Sequence, residues 1–448
     1  MKFKAGLTAC NSKKEARRGR CELDNMDSTD YWLLNVQIER RYVYDGDAVR
    51  GTETELSHVQ FREGVIVRVI AADGMNLINT DGEQILAGPA YDGRGMLMLP
   101  SFTEKHVHLD KTLLGEPWQA VIPASGVAGR CEIEKRILPQ LVTPPLQRAE
   151  LLLQHLIEAG STHIRTHIDV YPEAGTKQLE PVLNLFHSYR HQITHEVVAF
   201  PQHGLLRSGS KALIREALQQ GAHLVGGVDP ATMDTDLEAS LHLMVELAVE
   251  AGAGIDLHLH DPDYLGTYTM KRLAKLTVDA GLQGNVSISH AFALGEVSET
   301  EARSTADLLA EAGITIITSA PHGRTLPPVP LLWEHGVNVG AGCDNIYDTW
   351  QPFGNGDILE RASRLAERFA WIDERSLAQS LRLITGGRET LDAQGERVWP
   401  VPGDSADLIL VDASCAAEAV ARRAPRKAVF SKGHLIWDDQ TGHRKVHG

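Results

Sequence analysis

LMLPSFTEKHVHLD, residues 97–110, decides the fold. An apolar run leads into alternating residues and closes on His106 and His108, two imidazoles two positions apart. Side chains of an extended strand alternate faces with a period of two, so both rings face the same way and both reach one metal ion. The same construction recurs down the chain as HIRTHIDV (163–170), HEVVAFPQHG (195–204), AHLVGGVDP (222–230), GIDLHLHD (254–261), NVSISHAF (285–292), ITIITSAP (314–321) and VNVGAGCDN (337–345). Between these short apolar segments lie stretches of helical periodicity. In Leu237–Ala251, for example, Leu241, Met244, Val245 and Ala248 share one face. Eight strands alternating with helices is the pattern of an α/β chain folded as a (β/α)8 TIM-like barrel, although a doubly wound open sheet alternates in the same way.

Outside that rhythm the texture changes. GVIVRVI (64–70), DLILVD (407–412) and KAVFSKGHLIW (427–437) read as short strands separated by Gly, Asp and Pro turns. The expected organisation is a barrel over 96–394 and a small β-sandwich domain built from 29–95 plus 395–448. Residues 1–28 are expected to form a flexible arm, basic at Lys13, Lys14, Arg17, Arg18 and Arg20 but without the apolar core of a secretory signal.

The 448 residues carry a formal net charge of -15, and 43% of them are hydrophobic, enough for a large core. A surface of that sign repels phosphate backbones, which argues against a nucleic-acid partner. Nothing approaches the roughly 18 to 20 consecutive apolar residues that span a bilayer. The five cysteines, Cys10, Cys21, Cys131, Cys343 and Cys415, are scattered without CxxC spacing, which suits a reducing cytoplasm better than a disulfide framework. A homo-oligomer is compatible with this class, but no interface is readable.

In such a barrel the chemistry gathers at the C-terminal ends of the strands. His106 and His108 end the first strand, Gln202 the third, His258 the fifth, His290 the sixth and Asp344 the eighth. An isolated HxH is a weak signal; joined by further His and Asp at three later strand ends, it points to a metal site. Imidazoles with a carboxylate suit Zn or Fe(II). A divalent ion of this kind lowers the pKa of bound water from about 16 to about 7, and Asp344 is the candidate to serve as ligand and as acceptor of the water's proton. A two-metal centre needs a bridging anion, commonly a modified lysine on the fourth strand. Residues 222–230 contain no Lys, so one divalent metal ion is expected.

At these residues the chain resembles the cytosine deaminase branch of the amidohydrolase superfamily. HVHLDKT (106–112), RTHIDV (165–170), VAFPQHG (198–204), GIDLHLHD (254–261), SISHAF (287–292) and CDNIYDTWQPFGNGD (343–357) occur in the family's order. LVGGVDPAT (224–232), HLHD (258–261) and WQPFGNGD (350–357) are most similar to N-isopropylammelide amidohydrolases. The resemblance implies metal ligation by His106, His108, His258 and Asp344, with His290 against the attacking water. It implies that Gln202 hydrogen-bonds the ring's amide edge, that Trp350 packs on the ring, and that Lys111 either stabilises an anionic ring oxygen or pairs with Asp110. Where cytosine deaminases carry a proton-shuttling Glu, this chain has Asp261, one methylene shorter; the change weighs against cytosine itself as substrate.

Plainer roles stand beside these. His260 reads as supporting packing, His203 as pocket lining or surface, and His167 with Arg165 as orienting groups or a buried hydrogen-bonded pair. Asn345, Asp348 and Asp357 suit turn capping, and Cys343 is expected to point away from the site. The expected function is hydrolytic deamination or dealkylamination of a small nitrogen heterocycle such as a pyrimidine or s-triazine. The alternatives are a cyclic amide or imide hydrolase of the dihydropyrimidinase or hydantoinase kind, and a non-catalytic metal-binding scaffold.

Overall fold

The computed structural model describes residues 30–72 and 89–443, so the arm expected at 1–28 lies outside the described residues. Strand β1 (Asp30–Asp45) pairs antiparallel with β2 (Ala48–Arg62), and β2 with β3 (Val65–Ala71). Short β4 (Ala90–Asp92) and β5 (Leu97–Pro100) run parallel to β1. Eight parallel strands follow in unbroken spatial order: β6 (Phe102–Val107), β7 (Ser161–Asp169), β8 (Thr194–Phe200), β9 (Leu224–Val228), β10 (Gly254–Leu259), β11 (Val286–His290), β12 (Thr315–Thr318) and β13 (Val339–Ala341). A parallel bridge between Val107 and Asp344 joins the last of these to the first, closing a TIM-like barrel. The chain then returns to the first sheet as β14 (Leu408–Val411), β15 (Arg426–Ser431), β16 (His434–Asp438) and β17 (Gly442–His443). The N- and C-terminal segments thus form one continuous nine-stranded mixed sheet beside the barrel.

The stretch 97–110 proves to be two strands, not one. Leu97–Pro100 pairs antiparallel with Leu408–Val411 in the terminal sheet, and only Phe102–Val107 enters the barrel. The break falls at Ser101, whose hydroxyl is bonded to that of Thr162 at 2.6 Å. Burial on both faces explains the unbroken apolar run. Leu97 and Leu99, with Ile409 and Val411, face the barrel core, while Met98, Leu408 and Leu410 face a separate core around Tyr31, Phe61 and Phe430. A strand sandwiched between two cores loses the polar alternation that would have marked its end.

The helices follow their periodicity. In Leu237–Ala251 the buried residues include Leu241, Met244, Leu247 and Ala248; Asp236 caps the N-terminus by accepting Ala239 N–H at 3.0 Å, and Gly252 ends the helix in the left-handed region. Gly227 lets this helix lie close on β9, since a Cβ there would stand 2.5 Å from Met244 Sδ. Among the described residues no helix is long and apolar enough to cross a membrane, and Cys131, Cys343 and Cys415 are buried free thiols.

Candidate metal centre and its cavity

The C-terminal strand ends bring five imidazoles and a carboxylate to one point. Nε2 of His106 and Nε2 of His108 each lie 3.5 Å from Asp344 Oδ1. The ring of His258 stands 4.5 Å from that of His106 and that of His290 5.0 Å, centroid to centroid. Candidate ligand atoms of His106, His108, His167 and His258 all lie within 4.8 Å of one another, as do those of His106, His290 and Asp344. His106 belongs to both groups and is the pivot of the site. His167, left open between an orienting role and a buried pair, stands inside the cluster, 4.2 Å from the His106 ring.

Backbone geometry holds these groups in place against strain. His290 has φ 73° and Asp344 φ 60°, a region that side chains other than Gly adopt at a cost. The surroundings over-determine both ends of the Cys343–Asp344 turn. Asp344 N–H donates to His106 O at 2.6 Å, Cys343 N–H to Glu104 at 3.0 Å, and Arg361 Nη2 to Cys343 O at 3.0 Å. Glu104 also accepts His106 N–H at 2.8 Å, so one buried carboxylate aligns the strand carrying the histidines with the turn carrying the aspartate. Gly342 permits the approach: a Cβ there would stand 2.3 Å from His106 Cβ.

The donor set fits a divalent cation. Ser289 Oγ donates to Asp256 Oδ1 at 2.7 Å, so it can only accept from His106 Nδ1, 2.8 Å away. His106 is therefore the Nδ1–H tautomer, with its Nε2 lone pair turned toward Asp344. That buried Nε2 has no hydrogen-bond partner, and neither ring nitrogen of His258 has one. Burial holds the imidazoles of His108 and His258 well below the usual histidine range, and that of His167 at about 4, so all three stay neutral. Burial would raise Asp344, and the His106 and His108 contacts that lower it act only through positive charge at their ring nitrogens, which a bound cation supplies where neutral imidazoles do not. Neutral imidazoles with bare lone pairs around an ionised carboxylate are what a Zn- or Fe-type ion takes, and a costly set to bury with nothing between them.

Beside the centre opens a cavity of about 750 Å³ whose lining includes His108, His258, His290, Asp344, Gln202 and Trp350. Lys111 and Asp261 are not among the lining residues. The Lys111 ammonium is fully buried and bonded to Asp169 (2.8 Å) and to Gln202 Oε1. It pairs with Asp169 and not with Asp110, its sequence neighbour, because Asp110 instead accepts Asp169 N–H at 2.8 Å. Gln202 Nε2 donates to Glu134 Oε1 at 2.6 Å, and Trp350 Nε1 donates to Glu134 Oε2 at 2.6 Å. Glu134 thus ties together two of the expected substrate-binding residues. Asp261 accepts from Thr232 Oγ1 (2.5 Å) and Ala231 N (3.2 Å).

His260, expected to be mere packing, lines the cavity. Its ring stacks on His290 at 4.4 Å, and its Nδ1 lies 3.0 Å from Asp229 Oδ2. Burial would lower its pKa, but the Asp229 carboxylate overrides this and raises it. His203 is buried beside Tyr171, outside the lining. Asp357 caps the helix Ile358–Arg368 and binds Arg426, and Asp348 accepts Trp350 N–H and Gln351 N–H, the turn-capping roles expected of them. Asn345 and Cys343 line the cavity, Cys343 with its thiol pushed well up by burial, which leaves it no nucleophile.

A family model described as the Amidohydrolase family matches residues 146–433. The chain belongs to the amidohydrolase family. This amidohydrolase is 38% identical over 429 residues, 94% of this chain and 91% of the other, to an Escherichia coli K12 protein described only as uncharacterized protein YahJ. It is 32% identical over 365 residues to the N-isopropylammelide isopropyl amidohydrolase of Pseudomonas sp. strain ADP, covering 78% of this chain and 88% of that one. The solved N-isopropylammelide isopropylaminohydrolase of Burkholderia multivorans superposes with a TM-score of 0.78 at 33% identity, covering 92% of this chain and 99% of that one. The amidohydrolase is accordingly a hydrolase of carbon–nitrogen bonds other than peptide bonds.

Proposed function

We propose that this amidohydrolase hydrolyses an exocyclic C–N bond on a small nitrogen heterocycle of pyrimidine or s-triazine type, releasing ammonia or an alkylamine. The observation that carries the reading is the convergence of His106, His108 and Asp344 beside a cavity lined by His290 and Gln202. His106, His108, His258 and Asp344 would hold one divalent cation, Zn or Fe(II). Such an ion, when bound, acidifies water into the neutral range. Asp344, ionised and against the cavity, accepts the proton of the attacking water. Burial keeps His290 neutral, so it presents a hydrogen-bond donor to the oxygen as negative charge develops on it.

Gln202 fixes the ring. One carbonyl lone pair is taken by Lys111 and one amide N–H by Glu134, which leaves one acceptor and one donor for an amide-like ring edge. Lys111 in this reading sets Gln202 instead of touching the ring. Trp350, held through its Nε1–H, offers a face for packing. The leaving nitrogen needs a proton. Asp261 reaches the cavity only through Thr232 or a water, whereas His260, charged against Asp229, stands on the cavity wall. We assign delivery to His260 and the support of Thr232 to Asp261. The volume leaves room for a substituent beyond a bare amino group, and the likeness to N-isopropylammelide hydrolases supports an alkylamine as one leaving group.

The test is an amine-release screen on metal-analysed protein over cytosine, isocytosine, ammelide and N-alkylated ammelides, identifying the amine formed. Turnover with about one metal per chain, lost by a factor of at least about 1,000 in Asp344→Ala, is expected. Full activity in that variant refutes the reading. Ring opening without amine release, with two metals per chain, favours a cyclic amide hydrolase.

A further inference from the structure

Several cations of this acidic barrel are held in ion pairs. Lys111 meets Asp169, Arg165 meets Asp256, Arg272 meets Glu238 and Arg364 meets Glu360. Three arginines lining the cavity have no ion pair among the described residues: Arg361, whose Nη2 is taken up by Cys343 O, and Arg130 and Arg324. Arg130 and Arg324 have no carboxylate within ion-pair distance among the described residues, and Arg130 Nη1 is buried with no hydrogen-bond partner. The carboxylates of the cavity wall do not neutralise them, because Asp229 is engaged by His260 and Asp344 by His106 and His108. Lys111, beside Gln202, is engaged by Asp169.

Arg324 is placed to read a substrate. Its guanidinium lies 4.4 Å above the ring of Phe292, which stands 5.5 Å from His290 and 5.9 Å from His260. Stacking on an aromatic face holds the planar fork in one orientation at little entropic cost. The fork therefore sits one aromatic ring away from the side chains that act on the scissile carbon. Arg130 also lines the cavity, on the helix Gly126–Ile137, where its neighbours Val127 and Ala128 pack against Phe200 and Met233. A buried guanidinium donor without an acceptor is destabilising until a ligand supplies one, and planar oxyanions are what that fork fits.

We infer that the substrate is an anionic heterocycle, an aminated ring carrying a carboxylate substituent that Arg324 and Arg130 receive while the C–N bond lies against His290 and Asp344. The inference rests on the heterocycle-hydrolase reading for the identity of the ring, and on the unpaired arginines for its charge. In a protein of net charge -15, arginines without carboxylate partners at the site also favour capture of an anion that the rest of the surface repels.

Binding tests this apart from turnover. The metal-loaded full chain is titrated calorimetrically with pyrimidine-4-carboxylate and with pyrimidine-4-carboxamide, neither of which carries a leaving amine. The carboxylate is expected to bind at least about tenfold tighter, and Arg324→Met and Arg130→Met each to cut that preference by about tenfold or more, with Arg324→Lys restoring part of it. Equal affinities in the parent protein overturn the inference. So does a carboxylate preference that survives both methionine variants, because the anion is then held at the metal centre. Arginine-dependent carboxylate binding without amine release from the corresponding 2-amino carboxylate would sink the proposed hydrolysis and leave the anion site standing. Amine release from neutral rings with no carboxylate preference would do the reverse.

Discussion

At the scale of single residues, the centre depends on groups that hold a ligand's proton in place as well as on the ligands. His106 Nε2 can serve as a ligand only while its proton stays on Nδ1, and Ser289, anchored by Asp256, enforces that. Ser289→Ala is expected to weaken metal affinity by about 10- to 100-fold, measured by chelator competition, without unfolding the barrel; Ser289→Thr, which keeps the hydroxyl, should recover most of it. Unchanged affinity in the alanine variant would show that the tautomer is fixed in some other way. Gly342→Ala makes a steric counterpart, since its methyl would overlap His106. A loss of stability of about 1–3 kcal/mol by chemical denaturation is expected, together with reduced metal content. The clustered histidines were legible because a period of two is visible in HVH and in HLH. Ser289 was not, because a small hydroxyl inside SISH carries no periodic signature. Lys111 was legible as a residue but not as a contact: sequence proximity suggested Asp110, whereas the backbone hands Asp110 to an amide and delivers Lys111 to Asp169.

At the scale of elements, the strands were the readable part and the connections were not. Six of the eight barrel strands lie within their expected stretches, and β7 and β8 begin two and one residues before theirs, because β-branched and apolar residues cluster there and polar residues stop them. The exception was 97–110, where two cores flank one run and erase the boundary. The helix Gly126–Ile137 was hidden inside a stretch with weak amphipathic patterning, yet it supplies Glu134, the residue that joins Gln202 to Trp350. Glu134→Ala is therefore expected to free both side chains. Steady-state kinetics on the best substrate should show KM raised by about tenfold or more, the loss of roughly one charge-assisted hydrogen bond, while metal content is retained. Loss of metal instead would place Glu134 in support of the centre and not of the ring. His260 and Asp229 were missed for a related reason. Alternation alone puts His260 on the same strand face as His258, but only the approach of the β9 end gives it Asp229 as a partner.

Across the whole molecule, twenty histidines in an acidic chain couple the fold to pH. Burial holds His167, His195 and His203 at about 4, below the usual value near 6.5. An unfolded chain takes up those protons near pH 6.5, and the native state only near pH 4. Between the two the unfolded state binds more protons, so the stabilisation present above pH 6.5 is lost as pH falls toward 4. Metal release in acid acts in the same direction, since protonated imidazoles no longer bind a cation. The two contributions separate at His195, which stacks on Phe186 at 4.3 Å in the outer layer of the barrel and takes no part in the imidazole cluster. Replacing it with glutamine removes a proton site and leaves the centre intact. Calorimetric Tm values between pH 7 and pH 5 should fall less steeply for His195→Gln than for the parent protein, at equal metal content. Identical slopes would mean that His195 makes no contribution to the acid sensitivity.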